Sequence, residues 1–148
     1  MSGPTTTAPI IVDIYCRTAT SSEEDDARLE EQEQICREYC AVQGLTVGMV
    51  HRESISGLLF RERQALNRVR DRYLDGTIQG VVVTSLDRLS RSNIHLAILL
   101  NEMELHNIAL HIVQGSLEKT VQGRYLLTLS SFITEVEREK ALEFEKGQ

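Results

Sequence analysis

Gly80-Val81-Val82-Val83-Thr84 constrains this chain more than any other segment. Consecutive valines with no charge among them cannot alternate between a wet face and a dry one, so the run predicts a strand buried on both sides. Such a strand needs helices above and below it. Candidates lie on either flank: Arg63 to Tyr73, stopped by Asp75-Gly76, and Asn93 to roughly His106.

The same alternation extends in both directions. Ile10-Ile11-Val12-Asp13-Ile14-Tyr15 predicts a first buried strand, with Asp13 its one residue lacking a physical reason. From Ser22 to Gln43, Leu29, Ile35, Cys36, Tyr39 and Cys40 recur at helical spacing, and Gly44 follows where a helix end favours glycine. Leu45 to Val50 reads as a second strand, Ser56-Gly57 as a turn, and Ile108 to Val113 as a further strand. This β-α-β-α order predicts an α/β domain of three layers, a central and mostly parallel sheet of about four or five strands flanked by helices. From Val121 a long last helix places Leu126, Leu129, Ile133 and Val136 at alternating three- and four-residue spacing. That seam suits a partner helix or the chain's own sheet. The expected division is a loose tail at 1–9, an α/β core at 10–120, and the long helix at 121–148.

The 148 residues make one domain, and the 41% hydrophobic content excludes a disordered chain. A formal net charge of -6 gives no general attraction to nucleic acid or to an anionic membrane, so any contact with either must be local. The run Ile10 to Tyr15 is far too short to span a bilayer, and the small, polar start reads as neither export signal nor anchor. Three cysteines, Cys16, Cys36 and Cys40, are an odd number, which predicts reduced thiols in the cytoplasm. Cys36 and Cys40 lie one helical turn apart, but no nearby pair completes four ligands, so core packing is expected instead of metal.

The chemistry rests on arginine. Acids fall at helix-surface spacings and do not converge after strands, so neither a metal nor another cofactor is expected. Guanidinium groups can hold phosphate without a cation, through permanent charge and bidentate hydrogen bonds. Arg17 directly follows the first strand, and Arg88 and Arg91 follow the valine strand, where an open α/β sheet presents ligand-binding groups. A rival reading has Asp87 capping a helix and these arginines pairing with surface acids. Arg61, Arg63, Arg68, Arg70 and Arg72 form another cluster, either a cationic site or a solvated, ion-paired helix face.

Four segments carry a family resemblance: Tyr15-Cys16-Arg17-Thr18-Ala19; Ser56-Gly57 with Arg63; Leu86-Asp87-Arg88-Leu89-Ser90-Arg91; and Gly123-Arg124 with Glu135-Val136-Glu137-Arg138-Glu139. In order and spacing they resemble the catalytic domain of the serine recombinases, the resolvase/invertase family, from about Ile10 to Lys140. The resemblance implies a resolvase-like fold with a long C-terminal dimerisation helix. It also implies cleavage and rejoining of DNA through a phosphoserine link, with no metal or nucleotide consumed, by homodimers that meet as a tetramer in a synaptic complex. By position, Arg17, Arg88 and Arg91 would bind the scissile phosphate with Arg63 in support, and Asp87 matches the family's acid. Gln32 and Ser56 match accessory positions, and Glu137 and Arg138 match a pair on the dimer helix.

Ala19 stands where the family keeps its nucleophilic serine, and a methyl group cannot become a phosphoester. Thr18, Thr20, Ser21 and Ser22 are nearby, but a shift of one or two residues moves an oxygen by several ångströms, whereas in-line attack tolerates roughly 1 Å. Gln64 replaces a common proline, Glu53 an aspartate, and Ala141, Leu142 and Phe144 fall in a stretch usually reading Ile-Arg-Glu-Arg. The last helix is read as truncated towards a DNA-binding region absent from this sequence. The expectation is a site-specific recombinase catalytic domain inactive as written; the alternative is a dimerisation or regulatory module for recombination. A response-regulator-like domain is excluded because paired acids do not follow the first strand.

Overall fold

Alternation along the first strand sorts the molecule into layers. A computed structural model of the chain describes residues 8–20, 22–55 and 63–146, with side chains as far as Glu143. Ser21, Arg61 and the Ser56-Gly57 turn lie outside the described residues. Strand β1 (Ile11–Thr18) sends Val12, Ile14 and Cys16 to one face, where Leu29, Cys36 and Cys40 of helix α1 (Glu23–Gln43) cover them. Tyr15 goes to the other face, against Leu66, Val69 and Tyr73 of α2 (Gln64–Leu74). The valine strand β3 (Gly80–Val83) divides likewise, Val82 joining the first cluster and Val81 and Val83 the second.

With β2 (Thr46–Ser54) and β4 (Ala109–Ile112), the sheet has the order β2-β1-β3-β4, every pairing parallel. Helix α4 (Asn93–Leu105) adds Leu96, Leu99 and Met103 to the larger core. The expected three-layer α/β fold is therefore present. Helix α1 starts where the Ser22 hydroxyl accepts from Asp25 N at 3.1 Å, and Gly44 ends it at φ 71°. Cys16, Cys36 and Cys40 are core residues, and burial pushes the Cys16 and Cys36 thiols up to about 12.

Both leading strands outrun their apolar stretches. β1 continues to Thr18 and β2 to Ser54, because the pairs Tyr15↔His51, Arg17↔Glu53 and Thr18↔Ser54 keep the backbone bonded after the hydrophobic run ends. Hydrophobicity marks burial, whereas strand length follows the ladder. The Asp87 loop also contains a one-turn helix, α3 (Leu86–Leu89), too short for periodicity to reveal.

Asp13 now has its reason. Between Val12 and Ile14 the register slips, β2 advancing from Val47 to Val50, and the extra residue leaves the Met49 N–H outside the ladder. Asp13 Oδ1 accepts that N–H at 2.9 Å, while Oδ2 pairs with His51 Nε2 at 2.8 Å and with Arg72 Nε at 2.5 Å. Burial by itself would raise the Asp13 pKa, but the bonds from His51, Arg72 and Met49 prevail and hold it below the ordinary 3.8. A depressed folded pKa stabilises the fold above the unfolded value and loses that contribution as pH falls through the folded one. Asp13→Asn is therefore expected to cost about 3 kcal/mol at pH 7, and less as the acid range below 3.8 is entered. Urea unfolding of both proteins at pH 7 and pH 3 checks this; an equal deficit at both would contradict it.

The last helix, α5 (Val121–Lys146), divides its seam between two roles. Leu126 is fully buried in the chain's own core, while Leu129, Ile133 and Val136 are half-buried. Thr134 donates to Asn101 of α4, fastening the two helices. Facing outward instead are Val121, Tyr125 and Phe132, at 76%, 55% and 60% exposure. Their spacing of four and seven residues lays them along one stripe.

Candidate phosphate-binding site

In the strand order β2-β1-β3-β4, the crossovers from β1 and β3 leave towards opposite faces, which opens a crevice at the carboxyl ends of those two strands. Arg17 ends β1 there, and α3 with Arg88 follows β3. The Arg17 guanidinium is 1% exposed and donates to three carbonyls: Nε to Arg88 O at 2.9 Å, one terminal nitrogen to Ile55 O at 2.8 Å, and the other to Asp87 O at 2.5 Å. Arg88 answers with a bond to Arg17 O at 3.3 Å. The two segments thus lock to each other across the crevice.

Arg63, wholly buried, works beneath the same turn. Its guanidinium donates to Leu89 O and, at 2.6 Å, to the Tyr15 hydroxyl, over whose ring it sits at 5.5 Å. The Tyr15 hydroxyl in turn donates to Glu53 Oε2 at 2.5 Å, and Glu53 Oε1 accepts Ala65 N at 3.0 Å. Arg17 and Arg63 together hold the carbonyls of Asp87, Arg88 and Leu89, groups that a single helical turn leaves without partners of its own. Desolvation first, then repulsion from Arg63, Arg91 and Arg88, lowers the Arg17 pKa. Four guanidinium groups this close favour an anion among them.

Gln32 reaches from α1 to the end of β1. Its Oε1 accepts Arg17 N and its Nε2 donates to Arg17 O, both at 3.0 Å, so the peptide leading to residue 19 is gripped on both sides. Ala19 is exposed just beyond. Among the described residues, the hydroxyls around it are engaged: Thr18 donates to Thr20 O at 3.0 Å, Thr20 donates to Asp25, and Ser22 caps α1.

Not every anticipated residue gathers here. Arg88 is half-buried and Arg91 exposed, and Asp87, also exposed, accepts from Ser85 Oγ at 2.5 Å, while the cap position of α3 falls to Ser85. Glu137 and Arg138 are exposed on α5, with no bond to the crevice among the described residues. Ser56 lies outside the described residues. Of the described arginines in the run after Arg61, only Arg68 is exposed: Arg63 turns inward, Arg70 pairs bidentately with Glu102 at 2.9 and 2.8 Å, and Arg72 pairs with Asp13. Tyr15 and Glu53 were missed as its supports, although polar residues at every second position of a buried strand (Asp13, Tyr15, Arg17) signal a face with internal partners.

Fold and crevice together define an open α/β domain with arginines from two segments at its topological switch point. Residues 12–146 match the family model for the resolvase N-terminal domain, and the chain belongs to that family. It is 35% identical over 91 residues to a Bacillus subtilis (strain 168) protein named as a DNA recombinase, an alignment covering 62% of this chain and 18% of that protein. The chain therefore spans only a small part of that relative. Among solved structures, the N-terminal catalytic domain of TP901-1 integrase is similar at 28% identity and TM-score 0.66, covering 87% of this chain and 97% of the other. A resolvase family site-specific recombinase from Streptococcus pneumoniae aligns at 22% identity and TM-score 0.65 over 93% of this chain and 95% of its own, a likeness of fold.

Proposed function

We propose that this chain is the catalytic domain of a site-specific serine recombinase whose phosphate crevice is assembled but whose nucleophile position holds a methyl group. The observation that carries this reading is the interlock of Arg17 with Arg88, which brings cations from two separate segments to one crevice beside exposed Ala19. Arg88 and Arg91 face the scissile phosphodiester of DNA, Arg17 adds charge from below, and Arg63 and Asp87 set the turn that carries them. Gln32 and Ser56 serve as accessory groups. No metal or cofactor has a part in this reading. In the active family reaction a serine oxygen at position 19 bonds to phosphorus as the 3′ oxygen leaves, a step no atom of Ala19 can take.

In this reading residues 10–120 form the core and 121–148 a dimerisation helix. Val121, Tyr125 and Phe132 meet a second copy, with Glu137 and Arg138 further along, and dimers pair into a synaptic tetramer. The compartment is the cytoplasm, in keeping with three reduced cysteines. A second reading, a module that pairs with an active recombinase to regulate it, is favoured by that outward apolar stripe on a chain lacking its nucleophile.

The chain is expected to bind duplex DNA with a salt-dependent affinity that Arg91→Ala weakens about tenfold, and to leave supercoiled DNA bearing its sites free of covalent adduct. Mobility shifts with and without detergent read both quantities. Undiminished binding by the variant, or an adduct traced to Thr20, would refute the reading.

A further inference from the structure

A second hollow opens between α1 and the segments that leave β3 and β4. It has a volume of about 240 Å³, and its walls include Arg28 and Gln32 from α1, Thr84 and Arg88 after β3, and Gln114 after β4. The Gln114 N–H is tied to Thr84 O at 2.7 Å, so the far wall is held by backbone pairing instead of a loose side chain. Two guanidinium groups face one carboxylate, Glu31, among its lining residues, a local positive balance on a chain of net charge -6.

We infer that this hollow is a second phosphoryl-binding site, with Arg28 and Arg88 as its cationic walls and Thr84 and Gln114 as its neutral donors. Arg88 spends one N–H on Arg17 O at 3.3 Å, and Arg28 one on Asp25 Oδ1 at 3.2 Å, leaving each guanidinium further N–H groups in a five-donor fork. In the Arg28–Asp25 pair the arginine side chain is 61% exposed and Asp25 only 8%, so a buried carboxylate anchors one N–H of Arg28 while the rest of its fork can turn to a phosphate. Gln32 contributes wall, its amide held in place by one bond at each end to the Arg17 backbone. A phosphoryl group suits the site better than a carboxylate, since its oxygens can meet two guanidinium forks and a hydroxyl at once. The hollow shares Arg88 with the crevice at Ala19, so it lies where a phosphate next to the scissile one would fall along a strand. In that form the inference rests on the function proposed above. A free phosphate monoester would meet the same groups.

Titration of the full chain with inorganic phosphate, followed through backbone amide resonances, separates the two sites. Arg28→Ala is expected to weaken the phosphate response of Thr84 and Gln114 about tenfold while leaving that of Arg91 unchanged, and Arg91→Ala is expected to do the reverse. Arg28→Lys, which keeps the charge but not the fork, should fall between. If Arg28→Ala leaves the Thr84 and Gln114 response intact, the second site does not exist, even though binding at Arg91 sustains the proposed function. A response confined to Thr84 and Gln114 sinks the proposed function and spares the second site. Silence at both places sinks both. A single-stranded oligonucleotide identifies the source: weaker binding and a salt dependence reduced by about one ion in Arg28→Ala mean a DNA phosphate, and unchanged oligonucleotide binding with weakened phosphate means a free monoester.

Discussion

Ala19→Ser is expected to convert this domain from one that holds a phosphodiester into one that breaks it. Residue 19 follows Arg17 by two positions, and the Arg17 peptide is fixed on both sides by Gln32, while Thr18 also meets Ser54 Oγ at 3.3 Å. The backbone that would carry the serine is therefore already positioned. Because Ala19 is exposed, one added oxygen meets no steric cost. The expected product is a 5′-phosphoserine bond with a free 3′-hydroxyl, formed at a rate at least about 10⁴-fold above the parent, the scale on which removal of an enzyme's serine nucleophile acts. The measurement is a detergent-resistant protein–DNA band from the serine variant, joined to a DNA-binding region and given supercoiled DNA with its sites. Should a well-folded variant give no band, the fault would lie with the other departures. Glu53 is the foremost of these, since it lies under Arg63 through Tyr15.

A loss of stability as large as that of Asp13→Asn is expected from Gly123→Ala. A methyl group built on Gly123 would lie 2.1 Å from Leu117 O, 2.4 Å from Leu117 Cα and 2.6 Å from Leu117 C. All three are backbone atoms, so no side chain can swing aside; either the turn at Leu117 or the start of α5 must move. Moving α5 disturbs Leu126, which is fully buried in the main core, and Leu117, which packs against it. Such overpacking costs about 3 kcal/mol, enough to lower the melting temperature by roughly 10 °C in a domain of this size. Thermal unfolding followed by circular dichroism tests it, with Val42→Ala as control because that side chain is 82% exposed. Equal melting temperatures for the two variants would show that the close approach is not real.

The layers were legible because burial leaves a periodic trace. Val81-Val82-Val83 announced a strand covered on both sides, and Leu29, Cys36 and Cys40 announced the helix over one of its faces. The arginine loops were legible for a related reason: side chains just past buried strands in a parallel sheet emerge at a shared edge. Polar pairing inside the core left no such trace. Asp13 was inexplicable until a slipped register offered it the Met49 N–H, and Arg63, counted with four other arginines of one cluster, proved to be a buried brace under α3. Nothing in the spacing of charges distinguishes an arginine bound for solvent from one bound for a carbonyl far away in sequence.

By itself, then, the order of residues determined the β-α alternation, the family pattern and the missing hydroxyl at position 19, because each is written in local spacing or in a single identity. Only the folded chain decided that Arg17 faces Asp87 and Arg88 carbonyls, that Leu126 turns inward while Tyr125 and Phe132 turn out, and that a second hollow forms beside Arg28. Those outcomes depend on which distant groups the sheet register brings within hydrogen-bond reach, and register is a property of strands paired, not of strands read singly.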